Sequence, residues 1–167
     1  MNIAITTDHA GYEQLQELQV WLQSMGHTCV NFGPTHFDKD DDYPDFMFPA
    51  AQAVSRGAFE RGIIMGGSGQ GEAIAANRFK NVRCALFYAP ATAKVAIDAE
   101  GRTSDDPYEI VRLSRQHNNA NMLSLSGRFL DIDQMKQAIQ IWLDTPFEGE
   151  ARHARRIEKL SSKGSDK

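Results

Sequence analysis

The sequence is short of the features that would place it in most specialised classes. It holds only 2 cysteines in 167 residues, Cys29 and Cys84. Neither has a nearby Cys or His at ligand spacing, which argues against a disulfide framework and a zinc site and fits a reduced cytoplasm. Positive charge is not in excess: 18 Lys and Arg stand against 22 Asp and Glu, for a net charge of −4. No general basic field therefore points to nucleic acid. No apolar stretch approaches a membrane span. The opening Met1-Asn2-Ile3-Ala4-Ile5 runs into a strand pattern without the basic and apolar regions of a signal segment. With a hydrophobic content of 41%, ordinary for a soluble globular chain, the length predicts a single domain over residues 1–160 and a disordered tail over 161–167.

What is present is organised around Gly66-Gly67-Ser68-Gly69-Gln70-Gly71-Glu72. An apolar run, Gly62-Ile63-Ile64-Met65, leads in as a buried strand, and Glu72-Ala73-Ile74-Ala75-Ala76-Asn77 leads out as a helix. A strand that breaks into glycines and opens a helix leaves free backbone N–H groups at the positive end of the helix dipole. Such a loop suits an anion, or a negative charge that develops during reaction. No Lys-Ser or Lys-Thr pair follows the last glycine, so it is not a Walker-type loop. The spacing is Gly-x-Gly-x-Gly on the third predicted strand, unlike the dinucleotide fingerprint on a first strand. Taken alone, such a turn is equally a tight connection; the Glu72 carboxylate at the helix mouth favours a functional reading, although a dipole-favoured surface acid is the commoner case across proteins.

The rest of the chain alternates strands and helices. Asn2 to Thr6 reads as a first strand, ending at Thr7-Asp8-His9-Ala10-Gly11. A helix follows from Tyr12 to Met25, with Leu15, Leu18, Trp21 and Leu22 on one face and Gly26 at its end. His27 to Phe32 is a second strand. Asp38 to Asp42 reads as a solvated acidic loop without the alternating spacing of a calcium site. Tyr43-Pro44-Asp45 leads to a helix through Val54, with Pro49 expected in its first turn. Val82 to Phe87 is a fourth strand, and Pro90 to Ile97 reads as helix. Asp98 to Pro107 is a polar excursion, and helix resumes from Glu109 to Gln116. Asn121 to Ser126 is a fifth strand. Asp131 with Gln134 forms a capping box for a helix with Met135, Ile139 and Trp142 inward. A last helix, from Ala151 to Leu160, carries Arg152, Arg155 and Arg156. This order predicts a doubly wound α/β fold, a three-layer αβα sandwich around a five-stranded parallel sheet, with the site at the strands' carboxyl ends.

Asp8-His9, Ser68, Glu72, His117-Asn118, Arg128 and the i, i+4 pair Arg152 and Arg156 are the residues with chemistry to offer. Singly, each has a structural reading: a hydrogen-bonded histidine, a helix-capping aspartate, solvent-facing arginines.

Together, these segments resemble the ribose-5-phosphate isomerase B family, which includes the galactose-6-phosphate isomerase subunits. The matching motifs are Asp8-His9-Ala10-Gly11, Asp42-Tyr43-Pro44-Asp45, the glycine stretch through Glu72 with Ala75-Ala76-Asn77, His117-Asn118-Asn119-Ala120-Asn121, Gly127-Arg128, and Arg152-His153 with Arg156. The resemblance implies a Rossmann-like fold and aldose–ketose isomerisation through an enediolate. One branch of the family has a cysteine base just after the third strand, where this chain has Gly66. The other branch uses the glutamate, so Glu72 is the implied base. The resemblance further implies an anion hole from Ser68, Gly67, Gly69 and Gly71, and ring opening by His117 with Asp8. It implies phosphate contacts from His9, Arg128, Arg152 and Arg156, and pocket contacts from Tyr43 and Asn118. It implies no metal and no cofactor. Two subunits would share each site, with His117, Asn118 and Arg128 coming from the chain opposite Glu72. A homodimer follows, with a dimer of dimers as the alternative.

Two departures stand out. The segment before His117 is about fifteen residues longer than the family pattern, mostly around Asp98 to Tyr108, and Glu150-Ala151 replaces a shorter glycine step. Ribose 5-phosphate is the expected substrate. Another aldose phosphate of four or six carbons and a non-catalytic sugar-phosphate sensor are the alternatives, and a nucleotide-binding module is disfavoured by the absent lysine.

Overall fold

Strand residues alternate between two faces, and both faces of this sheet are apolar. Ile3, Ile5, Ile63, Met65, Leu123 and Leu125 point to one side, while Ala4, Ile64 and Met122 point to the other. The computed structural model describes the backbone of residues 1–163 and the side chains through Ser162. Five strands, β1 (Asn2–Thr7), β2 (Thr28–Asn31), β3 (Arg61–Gly66), β4 (Cys84–Phe87) and β5 (Met122–Ser126), pair in the order β2-β1-β3-β5-β4, and every pairing is parallel.

Helices cover both faces. On one side lie α1 (Tyr12–Ser24), α4 (Glu109–Gln116) and α5 (Ile132–Asp144), which bury Leu15, Leu18, Leu22, Val111, Met135, Ile139 and Trp142. On the other lie α2 (Tyr43–Ser55) and α3 (Gln70–Ala76), which bury Met47, Ala50, Ala51, Val54, Ala75 and Ala76. This is the three-layer, doubly wound arrangement expected from the alternation. The chain leaves β1 toward β2 on one side and returns to β3 on the other, so the carboxyl ends of β1 and β3 flank a switch point. The last helix, α6 (Ala151–Lys163), contributes none of its described side chains to either core.

Asp131 accepts a hydrogen bond from the Gln134 amide and Gln134 reaches back to the Asp131 N–H, closing the predicted box at α5. Three expectations need correction. No helix forms over Pro90 to Ile97: Tyr88–Tyr108 is irregular, and Val95 is 79% exposed, so this stretch has no apolar face to bury. Pro49 sits in the interior of α2, not its first turn, where Pro44 serves instead. Its missing N–H falls on the exposed side of the helix, where water can serve the orphaned carbonyl. Helix α6 continues through Ser161 and Ser162 to Lys163, where a tail was expected; the remainder of that tail, residues 164–167, lies outside the described residues.

Asp131→Ala removes one half of the box and should lower stability by about 1 kcal/mol. The expected readout is a lower urea midpoint at unchanged slope.

Candidate active site

The carboxyl ends of β1, β3 and β5 bring together one group of the expected residues. Glycine loop and β5 turn are stitched by the Gly127 N–H donating to the Gly66 carbonyl at 2.8 Å and the Arg128 N–H to the Gly67 carbonyl at 3.1 Å. The Ser124 hydroxyl donates to the Gly69 carbonyl at 2.7 Å from below. Gly69 adopts φ +74°, and a Cβ there would meet Leu86 and the Leu125 backbone, so this corner requires glycine. The amides of Gly67, Ser68, Gly69 and Gly71 donate to no protein acceptor among the described residues, whereas the Gln70 amide reaches the Ser68 hydroxyl at 3.3 Å. Four donors thus line the open end of α3.

Glu72 is the acid beside them. Its residue is 5% exposed, and Oε2 is buried without a hydrogen-bond partner. The carboxyl fills the space above Gly66, where any Cβ would overlap it. Burial pushes its pKa up, more than its own backbone N–H pulls it down, and the nearby Asp8 adds to the rise. Tyr43, the first residue of α2, lays its ring against Gly71.

Asp8 is buried and accepts from the Ala10 N–H at 2.9 Å, so it caps the short 3-10 turn His9–Gly11 and also faces the rim. His9 Nδ1 lies 2.6 Å from Asp41 Oδ1. That hydrogen bond raises the pKa of His9, chiefly against desolvation, with nearby Arg128 also pulling it down. Arg128 itself rests over Gly67. Asp8, His9 and Asp41 have ligand atoms within 4.8 Å of one another, a trio of metal-binding types. The 2.6 Å contact, however, is a hydrogen bond, shorter than the roughly 3.3 Å between two ligands of one tetrahedral ion. Asp41 was missed in the sequence because it stands inside the run Asp38–Asp42, which reads as uniformly solvated. Its side chain is only 7% exposed.

A second group lies elsewhere. His117 ends α4 and Asn118 follows it, so both precede β5 and occupy the amino rim of the sheet. Five residues of β5, about 16 Å at the usual rise, separate that rim from Arg128 and the glycine loop. The His117 ring stacks on His153 of α6 at 4.2 Å. Burial lowers the pKa of His117, helped by the neighbouring His153 and Arg152. Arg83 Nε holds the Asn118 and Asn119 carbonyls at 3.1 and 3.0 Å. Buried Arg115, over the Trp142 ring, holds the Ala120 carbonyl at 2.6 Å and the Asn119 side chain at 2.8 Å. Arg152 and His153 lie beside His117, and Arg156 is exposed one turn further along α6. A cavity of about 470 Å³ opens on this rim, lined by Arg78, Lys80, Arg83, Asn118 and Leu160, and not by the glycine loop.

The expectation that Arg128 groups with His117 and Asn118 is therefore corrected. Arg128 follows β5 and stands beside His9 and Gly67 of its own chain, on the rim opposite His117. His153, which stacks on His117, is a further residue without an assigned role in the sequence reading. Its motif position was visible, but its partner was not.

A family model described as Ribose/Galactose Isomerase matches residues 3–101 and 105–160; the break falls inside the segment Tyr88–Tyr108. Ribose-5-phosphate isomerase B of Mycolicibacterium paratuberculosis is 34% identical over 161 residues, 96% of this chain and 90% of that one. The crystal structure of ribose-5-phosphate isomerase B from Mycoplasma genitalium with bound ribulose-5-phosphate is similar at 34% identity, covering 99% of this chain and 97% of that one, with a TM-score of 0.84. The type B ribose 5-phosphate isomerase of Trypanosoma cruzi aligns over 100% of both chains at 31% identity and a TM-score of 0.84.

His9 keeps its proton to a pH above its ordinary value, so the stabilisation from its pair with Asp41 is fully present below the unfolded pKa and fades as pH rises through the folded one. Asp41→Asn should lower the His9 pKa, read from the NMR titration of its ring protons. An unmoved titration would contradict the pairing.

Proposed function

The chain belongs to the ribose/galactose isomerase family, and on that premise we propose that it interconverts ribose 5-phosphate and ribulose 5-phosphate through an enediolate. The observation that carries this reading is Glu72, a buried carboxyl with a free oxygen and a raised pKa beside unengaged amides. A base near neutrality needs its affinity for protons raised from that of an ordinary carboxylate. Burial supplies that shift.

In the proposed reaction the sugar opens to its aldehyde with help from His117 and Asp8. Glu72 takes the proton from C2 as the carbonyl electrons move to O1. The amides of Gly67, Gly69 and Gly71 and the hydroxyl of Ser68 stabilise the negative charge on O1. Glu72 returns the proton to C1 while the O2 proton passes to O1, so the carbonyl ends on C2 with atoms and charge balanced. His9, whose ring Asp41 shifts toward the protonated form, and Arg128 face the phosphate from the chain that supplies Glu72. Arg152 and Arg156 are its further contacts, Asn118 holds a sugar hydroxyl, and Tyr43 lines the pocket. The charge is carried by protein donors, without metal or cofactor.

His117, Asn118, Arg152 and Arg156 belong to the amino-rim group, so one chain's set does not close around one substrate. The reading is therefore a homodimer in which each site takes its base from one protomer and its His117 group from the other. Helix α6, outside both cores, is available to reach across. A tetramer would be a pair of such dimers. The unpaired thiols of Cys29 and Cys84 fit a cytoplasmic location.

Glu72→Gln should reduce turnover by about 10²–10⁴-fold, the usual range for a positioned base, with ribose 5-phosphate still bound. In heavy water the parent chain should convert ribulose 5-phosphate to ribose 5-phosphate carrying deuterium at C2; its absence would reject the proton-transfer mechanism. Gly66→Ala should lower kcat by about 10²-fold by displacing the carboxyl from its seat, with the circular dichroism spectrum retained.

A further inference from the structure

The two places where this chain departs from the family pattern meet at one guanidinium. Arg152 Nη1 and Nη2 donate to the two carboxylate oxygens of Glu100, from the long segment, at 2.8 and 3.0 Å. Its Nε faces Glu150, from the altered approach to α6, at 2.9 Å. The terminal edge of the guanidinium is thus occupied by a carboxylate, while Nε donates to His153 Nε2 at 3.2 Å with Glu150 alongside, and phosphate oxygens recognise the same terminal edge.

Glu100 is mounted, not merely nearby. Asp98 accepts from the Glu100 N–H at 3.1 Å, the Arg102 N–H at 2.9 Å and Arg102 Nε at 3.0 Å, closing a turn with Glu100 near its tip and Gly101 at φ +84°. The base of the segment is tied down in turn. Ser104 donates to Glu109 at 3.2 Å, Arg112 meets Asp106 at 2.7 Å, and the Ala91 N–H reaches the Pro107 carbonyl at 2.9 Å. The segment therefore holds its carboxylate against the arginine that stands beside His153 and His117.

We propose that Glu100 is a built-in competitor for phosphate at Arg152, so that a phosphate dianion must displace it to engage that arginine. The proposal rests on the reading of Arg152 as a phosphate contact. Glu100 is the partner that yields: its side chain is 65% exposed against 26% for Arg152, and an exposed ion pair is weak enough to open. The consequence is selectivity. A sugar with a dianionic phosphate can open the clasp, whereas a monoanionic or carboxylate-bearing sugar gains little over the glutamate already in place.

The test uses the full chain and inorganic phosphate, followed by calorimetry, in the parent, Glu100→Ala, Arg152→Ala and the double variant. Glu100→Ala should tighten phosphate binding about fivefold, the upper size an exposed pair allows, and should lower the KM for ribose 5-phosphate in parallel. In the Arg152→Ala background, removal of Glu100 should change nothing. Unchanged or weaker phosphate binding in Glu100→Ala would overturn the proposal, as would equal tightening with and without Arg152, which would mark a general charge effect. A parent chain that bound phosphate but turned over no ribose 5-phosphate would count against the isomerase reading alone, because the binding comparison does not depend on turnover.

Discussion

The end of β3 has room for one functional side chain, and Glu72 takes it. Its carboxyl occupies the volume that a side chain at position 66 would need, so Gly66 and Glu72 form one unit. Much else in the loop follows from that seat. The chain must turn sharply after Gly66, which the left-handed Gly69 permits, and α3 must start at once so that its third residue swings back over β3. Ser124 and the β5 turn then fix the loop from the sheet side. Removal from water raises the acid's pKa, and the same dry setting strengthens whatever the free amides hold. In this chain a side chain at position 66 and the carboxyl of Glu72 compete for the same space.

Two histidines on opposite rims show how environment assigns work to ordinary residues. Asp41 shifts His9 toward its protonated form, and a positively charged ring suits a phosphate. At the other rim His117 is pushed the opposite way by burial and by the cations near it, which favours a neutral imidazole able to pass a proton. Neither tendency belongs to histidine as such. For His9 the cause is Asp41, 32 residues away, and for His117 it is burial first, with His153 and Arg152 adding to it.

That distance explains what could be read from the sequence. Local chemistry was legible: the Asp131–Gln134 box, the glycine turn after an apolar strand, and α4 from Glu109 to Gln116. So was the sheet, because strand–helix alternation leaves few topologies. Long-range partnerships were not. Asp41 looked like one charge among many, and its burial depends on where α2 docks. Pro90 to Ile97 has helix-forming residues, but exposed Val95 shows that nothing awaits such a helix, and propensity without a buried face is insufficient. The grouping of Arg128 with His117 and Asn118 follows from the resemblance alone, whereas β5 lies between them and carries Arg128 to the opposite edge.

That strand length has a genetic corollary under the shared-site reading. If each centre draws on two polypeptides, a fault in one copy is exported to its neighbour's chemistry. Where two alleles are expressed together, chains lacking Glu72 and chains lacking His117 would pair to give one intact centre and one doubly broken one, so two null alleles could complement each other across the interface.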